Sequence, residues 1–496
     1  MTEQAQQPIS NVVIAGGGTA GWMTAAALSH LVARPLNITL IESDDIGTVG
    51  VGEATIPTLL TINRLLKIPE PEFIRETSGT FKLGIQFENW TQAGSRYFHS
   101  FGDTGKGCWA GGFQHFWLRA QREGLSQAYG EYCLELKAAE AGKFGLRSDA
   151  PINYAYHLDA TRFGQYLRQR SERAGVRRRE GLIKQVITDP ETGFITELVL
   201  ADGDSVTGEL FIDCTGFRAL LSEGALNTGF EDWSHWLPCN RALAVQSELA
   251  GPPPPYTRAI AHKGGWQWRI PLQHRAGNGL VYNSDAFSDE QALATLLANI
   301  PEPTLTEPRP IHFTTGQRRR YWHKNCIAIG LASGFIEPLE STSIHFIQNG
   351  IMWLLLMFPE MGIDEALVAE YNGKLRREAE HIRDFIILHY HLNGRHGEPF
   401  WDYLREMPLP DSLVQRMALF RNSGRVFKPQ EDVFSENSWV QVMMGQGLVP
   451  EGYHNIADAM SKAQLAAYLE SIGADVARKL QNMPGHGDFV RQYVKP

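Results

Sequence analysis

Three short apolar runs frame the chain, each β-rich and each closed at once by a glycine turn. They are Asn11-Val12-Val13-Ile14-Ala15 before Gly16, Phe211-Ile212-Asp213-Cys214-Thr215 before Gly216, and Asn325-Cys326-Ile327-Ala328-Ile329 before Gly330. Runs of this length between turn residues read as buried strands of a parallel sheet. The first passes through Gly16-Gly17-Gly18-Thr19-Ala20-Gly21 into a small-residue helix from Trp22 to about Leu31, and a second strand, Ile38-Thr39-Leu40-Ile41, ends in Glu42. The third opens into a helix carrying Ile344-His345-Phe346-Ile347 and Ile351-Met352-Trp353-Leu354. His157 to Ala174 is predicted as a further helix, and Val186–Thr188 with Ile195–Leu200 as a hairpin around Asp189–Gly193. Runs near 241–250, 258–263, 266–271 and 278–283 predict a second, largely antiparallel sheet. Alternation along the third of these puts Trp266, Trp268 and Ile270 on one face, just before Pro271. From about 350 to 490 the pattern turns helical. The expected class is α/β, with a Rossmann-type module and inserted second sheet over 1–350 and a mostly helical layer over 351–496.

Bulk properties narrow the field. With 496 residues, 43% hydrophobic and 20% charged, the chain can bury a large core as an ordinary globular enzyme does. A net charge of −9, with basic residues only in short groups such as Arg177-Arg178-Arg179, argues against nucleic acid as partner. No apolar run is long enough to span a bilayer, and Met1 to Ser10 lacks the apolar segment of a signal peptide, so no membrane and a cytoplasmic location are expected. The five cysteines show no Cys-x-x-Cys spacing, which suggests neither a metal site nor a disulfide frame.

The first glycine turn carries the clearest chemistry. A G-x-G-x-x-G between a strand and a helix, with an acidic residue about twenty positions on, is a dinucleotide fingerprint. Gly16 permits the tight turn, Gly18 lets a pyrophosphate approach the backbone, Gly21 lets helix and strand pack closely, and Glu42 accepts from ribose hydroxyls. Return of the chain to the same sheet at Gly216 and Gly330 favours FAD over NAD. The loop Gly50-Val51-Gly52-Glu53-Ala54-Thr55-Ile56-Pro57 is expected to lie over the flavin ring. Lys82 follows among apolar residues, where a lysine commonly snorkels to solvent, and Phe87, Trp90, Tyr97, Phe98, His99, Phe101, Trp109, Phe113, Phe116 and Trp117 form an aromatic-rich stretch suited to a flat substrate. In the turn after Gly330, Glu337 and Glu340 stand three residues apart, followed by Ser341, Thr342 and Ser343 at a helix start.

Taken together, these residues resemble the flavin-dependent tryptophan halogenases over nearly the whole chain. The resemblance rests on the Gly16–Gly21 turn, the Gly50–Pro57 loop, Lys82, Trp266-x-Trp268-x-Ile270-Pro271 and Glu337-Pro338-Leu339-Glu340-Ser341-Thr342. The Trp-x-Trp-x-Ile-Pro signature is the most specific, since ordinary flavin monooxygenases lack it. The resemblance implies FAD, delivered as FADH2 by a separate NAD(P)H-dependent flavin reductase, and a chloride or bromide ion oxidised to hypohalous acid, which crosses a tunnel to an aromatic small molecule. It further implies that Gly16, Gly18, Thr19, Ala20, Gly21, Glu42, Val51, Gly52, Glu53, Ala54, Gly330 and Leu339 bind FAD and that Thr342 and Ser343 hold the halide. Lys82 and Glu340 are then catalytic, while His99, Phe101, Trp266, Trp268, Ile270, Pro271 and Trp439 line the tunnel and substrate site.

Two departures stand out. Tryptophan-specific members carry glycine where this chain has Ser343, which points to an altered halide pocket and to bromide ahead of chloride. Their tyrosine pair before the tryptophan matched by Trp439 is absent from Phe434-Ser435-Glu436-Asn437-Ser438, so indole or another electron-rich arene replaces free tryptophan in this reading. A ring-hydroxylating flavin monooxygenase and a flavin-binding protein without its own chemistry stay open as alternatives, as does a homodimer.

Overall fold

The computed structural model describes residues 8–46, 52–359 and 362–495. Its first sheet has six strands in the order Trp322–His323, Cys326–Ala328, Leu210–Asp213, Asn11–Ala15, Asn37–Glu42 and Arg177–Glu180. All pairings are parallel except that of the short Trp322–His323 strand, and Val12, Ile14, Leu40, Leu210, Ile212 and Ile327 are buried. Helix Thr19–Leu31 and helix Ser343–Leu356 both pack on this sheet and share its apolar core. All three glycine turns therefore meet at the carboxyl ends of adjacent parallel strands, where open α/β sheets form their ligand crevice.

The second sheet has seven strands, in the order Arg309–His312, Arg241–Ser247, Ala276–Tyr282, Gly265–Pro271, Thr257–His262, Gly84–Glu88 and Arg96–Ser100. It is antiparallel apart from the pairing of Thr257–His262 with Gly84–Glu88. A three-stranded sheet of Gly52–Ala54, Ala155–Asp159 and Thr80–Lys82 sets its Gly52–Ala54 strand against Gly265–Pro271 and Ala276–Tyr282 of the second sheet. Helix Glu365–His391, twenty-seven residues long, packs the side chains Ile382, Phe385, Ile386 and Tyr390 into the core of the second sheet. Further helices, among them Asp411–Ser423, Glu436–Gly445 and Lys462–Gln481, complete the helical region.

Two local expectations are corrected. The helix expected from His157 starts only at Ala160, because Ala155–Asp159 is the central strand of the small sheet and Asp159 caps the helix through Arg162 N. The segment expected as a loop over the flavin is, from Gly52 to Ala54, an edge strand whose backbone pairs with Asp159, Leu158 and His157. Gly50 and Val51 lie outside the described residues.

Candidate active site

At the first glycine turn, Gly16 has φ +108°, and a Cβ there would lie 2.2 Å from Cys214 O. A Cβ on Gly21 would lie 1.9 Å from Gly16 O, whereas one on Gly18 would face open space. Gly16 and Gly21 are thus fixed by backbone packing and Gly17 by Glu42, whose Oε2 would lie 1.5 Å from a Cβ there, while Gly18 leaves backbone exposed to a ligand. That space is a cavity of about 580 Å³, in the range of cofactor pockets (roughly 300–1,000 Å³). Its walls include Gly18, Thr19, Ala20 and Glu42 of the first strand-helix-strand unit, Gly52, Glu53 and Ala54, and Trp266, Trp268, Ile270, Leu339, Ser341 and Ser343. An elongated dinucleotide fits this donor set, with free N–H groups at a helix start and apolar indole walls for a ring system.

Glu42 is held by Arg178 at 2.5 Å, Arg168 at 3.2 Å and Trp22 Nε1 at 3.2 Å, so its carboxylate is oriented by the protein before any ribose arrives. Glu53 also lines the cavity, and burial pushes its carboxyl up to about 7. Gly330, at φ +73°, sits against Ala20, where a Cβ would come within 2.8 Å, and its neighbour Leu331 reaches the cavity. Gly330 and Thr342 border instead a smaller void of about 60 Å³, shared with Ser343.

Trp266 and Trp268 stand side by side with ring centroids 6.2 Å apart. Trp266 Nε1 donates to Glu337 Oε2 at 3.0 Å, and Tyr390 OH donates to the same oxygen at 2.6 Å. Glu337 is fully buried, its Oε1 has no hydrogen-bond partner among the described residues, and burial raises its carboxyl to about 7. Trp268 is seated over Gly279, where a Cβ would lie 2.0 Å from the indole. Ile270 packs toward Gly52, and Pro271 O accepts from Thr80 Oγ1 at 2.8 Å, which ties this strand to the one bearing Lys82.

Lys82 does not snorkel. It is fully buried, and Nζ donates to Thr55 O at 3.0 Å and to Ser341 Oγ at 2.8 Å. Phe101 lies under the amine, 5.0 Å from Nζ to the ring centroid. Burial pulls the lysine down to about 7, against the nearby Glu340 charge. Ser341 adopts a left-handed φ of +60°, which aims its hydroxyl at Lys82 while the residue still lines the large cavity. One residue therefore links the nucleotide cleft to the buried amine.

Glu340 is also fully buried. Its Oε2 accepts from His99 Nδ1 at 2.7 Å, and Oε1 lies 2.8 Å from His389 Nε2 in a close but bent contact. Burial alone would raise this carboxyl, but His99 and His389 outweigh it and hold Glu340 down at about 2. An isolated carboxylate here would cost several kcal/mol, which the two imidazoles offset. His389 Nδ1 is 2.7 Å from Tyr97 OH. Trp439 stays apart from both cavities. Its Nε1 donates to Asp432, Arg416 covers its ring at 3.8 Å, and Phe385 meets it edge-on.

The aromatic-rich stretch divides. Phe87 and Tyr97 stack against His389, Phe113, Phe116 and Trp117 join a separate core, and Trp109 is 94% exposed. Tyr97, Glu337 and Ser341 are visible in the sequence without a task, Thr55 only as part of the loop expected over the flavin, and His389, Tyr390 and Gly279 do not stand out in it. A histidine inside Phe385-Ile386-Ile387-Leu388-His389-Tyr390 was the available signal, a polar ring on an otherwise apolar helix face.

The model of the family described as tryptophan halogenase matches residues 11–462. The chain belongs to the tryptophan halogenase family. Among solved structures it is similar to Xcc4156, a flavin-dependent halogenase from Xanthomonas campestris, with 53% identity, TM-score 0.97, and coverage of 98% of this chain and 99% of that one. BrvH, a flavin-dependent halogenase from Brevundimonas sp. BAL3, is 44% identical with TM-score 0.94, covering 98% and 99%. The tryptophan 6-halogenase ThaL of Streptomyces albogriseolus is 34% identical over 98% of each chain. This family membership makes the chain a flavin-dependent halogenase and implies FAD and a halide, with a separate reductase and an aromatic substrate. Among the described residues, no helix is long and apolar enough to cross a membrane.

Proposed function

We propose that this halogenase acts on indole or a comparable electron-rich arene, with Lys82 and Glu340 as its catalytic pair and bromide accepted ahead of chloride. The observation that carries the reading is the pair's shared burial beside Ser341, which borders both the nucleotide cleft and the lysine. In this reading Gly16, Gly18, Thr19, Ala20, Gly21, Gly52 and Ala54 cradle FAD. The chemistry a bound reduced FAD supplies is two-electron oxidation of the halide by oxygen, giving hypohalous acid. Trp266, Trp268 and Ile270 exclude the arene from the cleft, so that only the small oxidant passes.

Lys82 Nζ receives that oxidant, by hydrogen bond or by forming an N–halogen bond with loss of water, and presents the halogen to the ring. Glu340 stabilises positive charge on the ring and takes the departing proton. Thr342 and Ser343 supply halide-facing groups at the start of helix Ser343–Leu356, with Ser343 a polar replacement for the glycine of tryptophan-specific members. Phe434–Ser438 offers no tyrosine pair, and its Asn437 is already bonded to Gly102 O, which supports a substrate without an amino-acid end.

The test offers indole and tryptophan side by side, with flavin reductase, NADH, FAD, oxygen and equal bromide and chloride, read by mass spectrometry. Brominated indole with tryptophan untouched is expected. Preferential halogenation of tryptophan overturns the substrate reading, and dominant chlorination overturns the halide preference.

A further inference from the structure

The opposite charges at this site do not pair. Among the described residues no carboxylate oxygen lies within 4.0 Å of Lys82 Nζ, although Glu340 is close enough to act on it electrostatically. Both hydrogen bonds of the amine go to uncharged acceptors, Thr55 O and Ser341 Oγ. Glu340 instead turns to two imidazoles, hydrogen-bonded to His99 on the second sheet through Oε2 and lying 2.8 Å through Oε1 from His389 Nε2 on the long helix, a contact outside hydrogen-bond geometry. A buried lysine and glutamate left to themselves would close into an ion pair, because attraction is strong and water is absent. Such a pair would fix Lys82 as an ammonium with no lone pair to offer.

We propose that His99 and His389, the latter oriented by Tyr97, are positioning residues that hold Glu340 apart from Lys82 and so keep the lysine's amine available to the halogen. This rests on the catalytic roles given to Lys82 and Glu340 above. Tyr97 OH donating to His389 Nδ1 leaves the imidazole proton on Nε2, facing Glu340. His99 Nδ1–H is likewise directed at Glu340, and its Nε2 has no partner among the described residues. The depressed pKa of Lys82, about 7, agrees with a lysine that has no bound counter-charge. Among the described residues, His157 on the adjacent strand also faces Lys82. Burial first, and Lys82 and His486 second, keep it well below the usual histidine range. His157 is held between Thr80 and Thr257 and adds no negative charge.

The experiment follows Lys82 itself. Full-length wild type, His389→Phe, His389→Gln and Tyr97→Phe are exposed to potassium cyanate across pH 5.5 to 10, and carbamylation of Lys82 is read by peptide mass spectrometry. This readout needs no flavin turnover, so it separates the clamp from the halogenase reading, which the product assay tests. Wild type is expected to show a midpoint near the lysine's pKa of about 7. His389→Phe should move it up by about one pH unit or more, roughly fivefold slower labelling at pH 7. His389→Gln keeps an N–H donor and should return most of the way, and Tyr97→Phe should shift in the same direction by less. If His389→Phe fails to fold, the Tyr97→Phe and His389→Gln pair still decides the order. A midpoint unmoved in Tyr97→Phe and His389→Phe overturns the clamp, as does a wild-type Lys82 that stays unlabelled while exposed lysines react.

Discussion

Lys82 Nζ donates to Ser341 Oγ at 2.8 Å, across 259 positions of sequence. That single contact joins the small sheet carrying the lysine to the turn that carries Glu340 and closes the nucleotide cleft. It also makes Ser341 the nearest neutral partner of a buried amine. Ser341→Ala is expected to lower halogenation about tenfold or more while leaving FAD affinity unchanged. Turnover assays and fluorescence titration with FAD check both parts, and unchanged turnover removes Ser341 from the site.

Lys82 should destabilise the fold it serves. Its pKa falls from an unfolded value of about 10.4 to about 7 in the folded chain. Between those values the unfolded state binds the extra proton, so stability rises with pH, and below about 7 the full penalty applies. Lys82→Met is therefore expected to abolish halogenation and to raise Tm at pH 6.5, by less as pH approaches 10. A lower Tm at pH 6.5 would show that the lysine's hydrogen bonds outweigh its burial.

Glu337 behaves in the opposite sense to Glu340. Burial lifts the Glu337 carboxyl to about 7 from an unfolded value of about 4.3, so its contribution to stability is present at low pH and lost as pH rises through 7. Glu340 is held at about 2, so its contribution is present above about 4.3 and lost as pH falls through 2. Glu337→Gln, which keeps an acceptor for Trp266 and Tyr390, should flatten the fall in stability between pH 5 and 8. Denaturant melts across that range would show an unchanged slope if the buried carboxyl were already ionised.

Gly279 supports the indole wall from behind. Gly279→Val is expected to displace Trp268, narrow the cleft and weaken FAD binding, because the indole lies 2.0 Å from the position of the new Cβ. Wild-type FAD affinity in this variant would mean that the wall yields without touching the flavin site.

The nucleotide half of the site was legible because its signals are local. Gly16–Gly21 and Glu42 sit within one strand-helix-strand unit, and alternation alone put Trp266, Trp268 and Ile270 on the face that lines the cleft. Residues 157–159 belong to a strand and not to the expected helix, because so short a stretch suits either a buried strand or the first turn of the helix that follows. What surrounds Glu340 was not legible from spacing at all. Tyr97 and His389 are 292 positions apart, and His389 lies on a helix whose apolar pattern reads as core. Lys82 was visible as an oddity, but its burial depends on Thr55, Ser341 and Phe101, which three separate turns of the chain deliver. Trp439 was matched by motif, and the fold gives its indole to Asp432 and Arg416.

Glu340→Gln keeps the shape of the side chain and removes its charge. Loss of about 100-fold or more in turnover is expected, the range of a positioned acid–base group, with substrate and FAD binding retained. Single-turnover kinetics with pre-reduced FAD locate the loss after oxidant formation. Near-normal turnover takes the glutamate out of the mechanism.

The most direct measurement compares wild type with Lys82→Ala in the reductase-coupled reaction with indole, each with and without bromide, and reads products by mass spectrometry. Halogenated product only from wild type and only with bromide, with FAD binding equal in the two proteins, is the expected result. A hydroxylated arene formed without halide, or halogenation by Lys82→Ala with wild-type regiochemistry, would contradict the role given to the buried lysine.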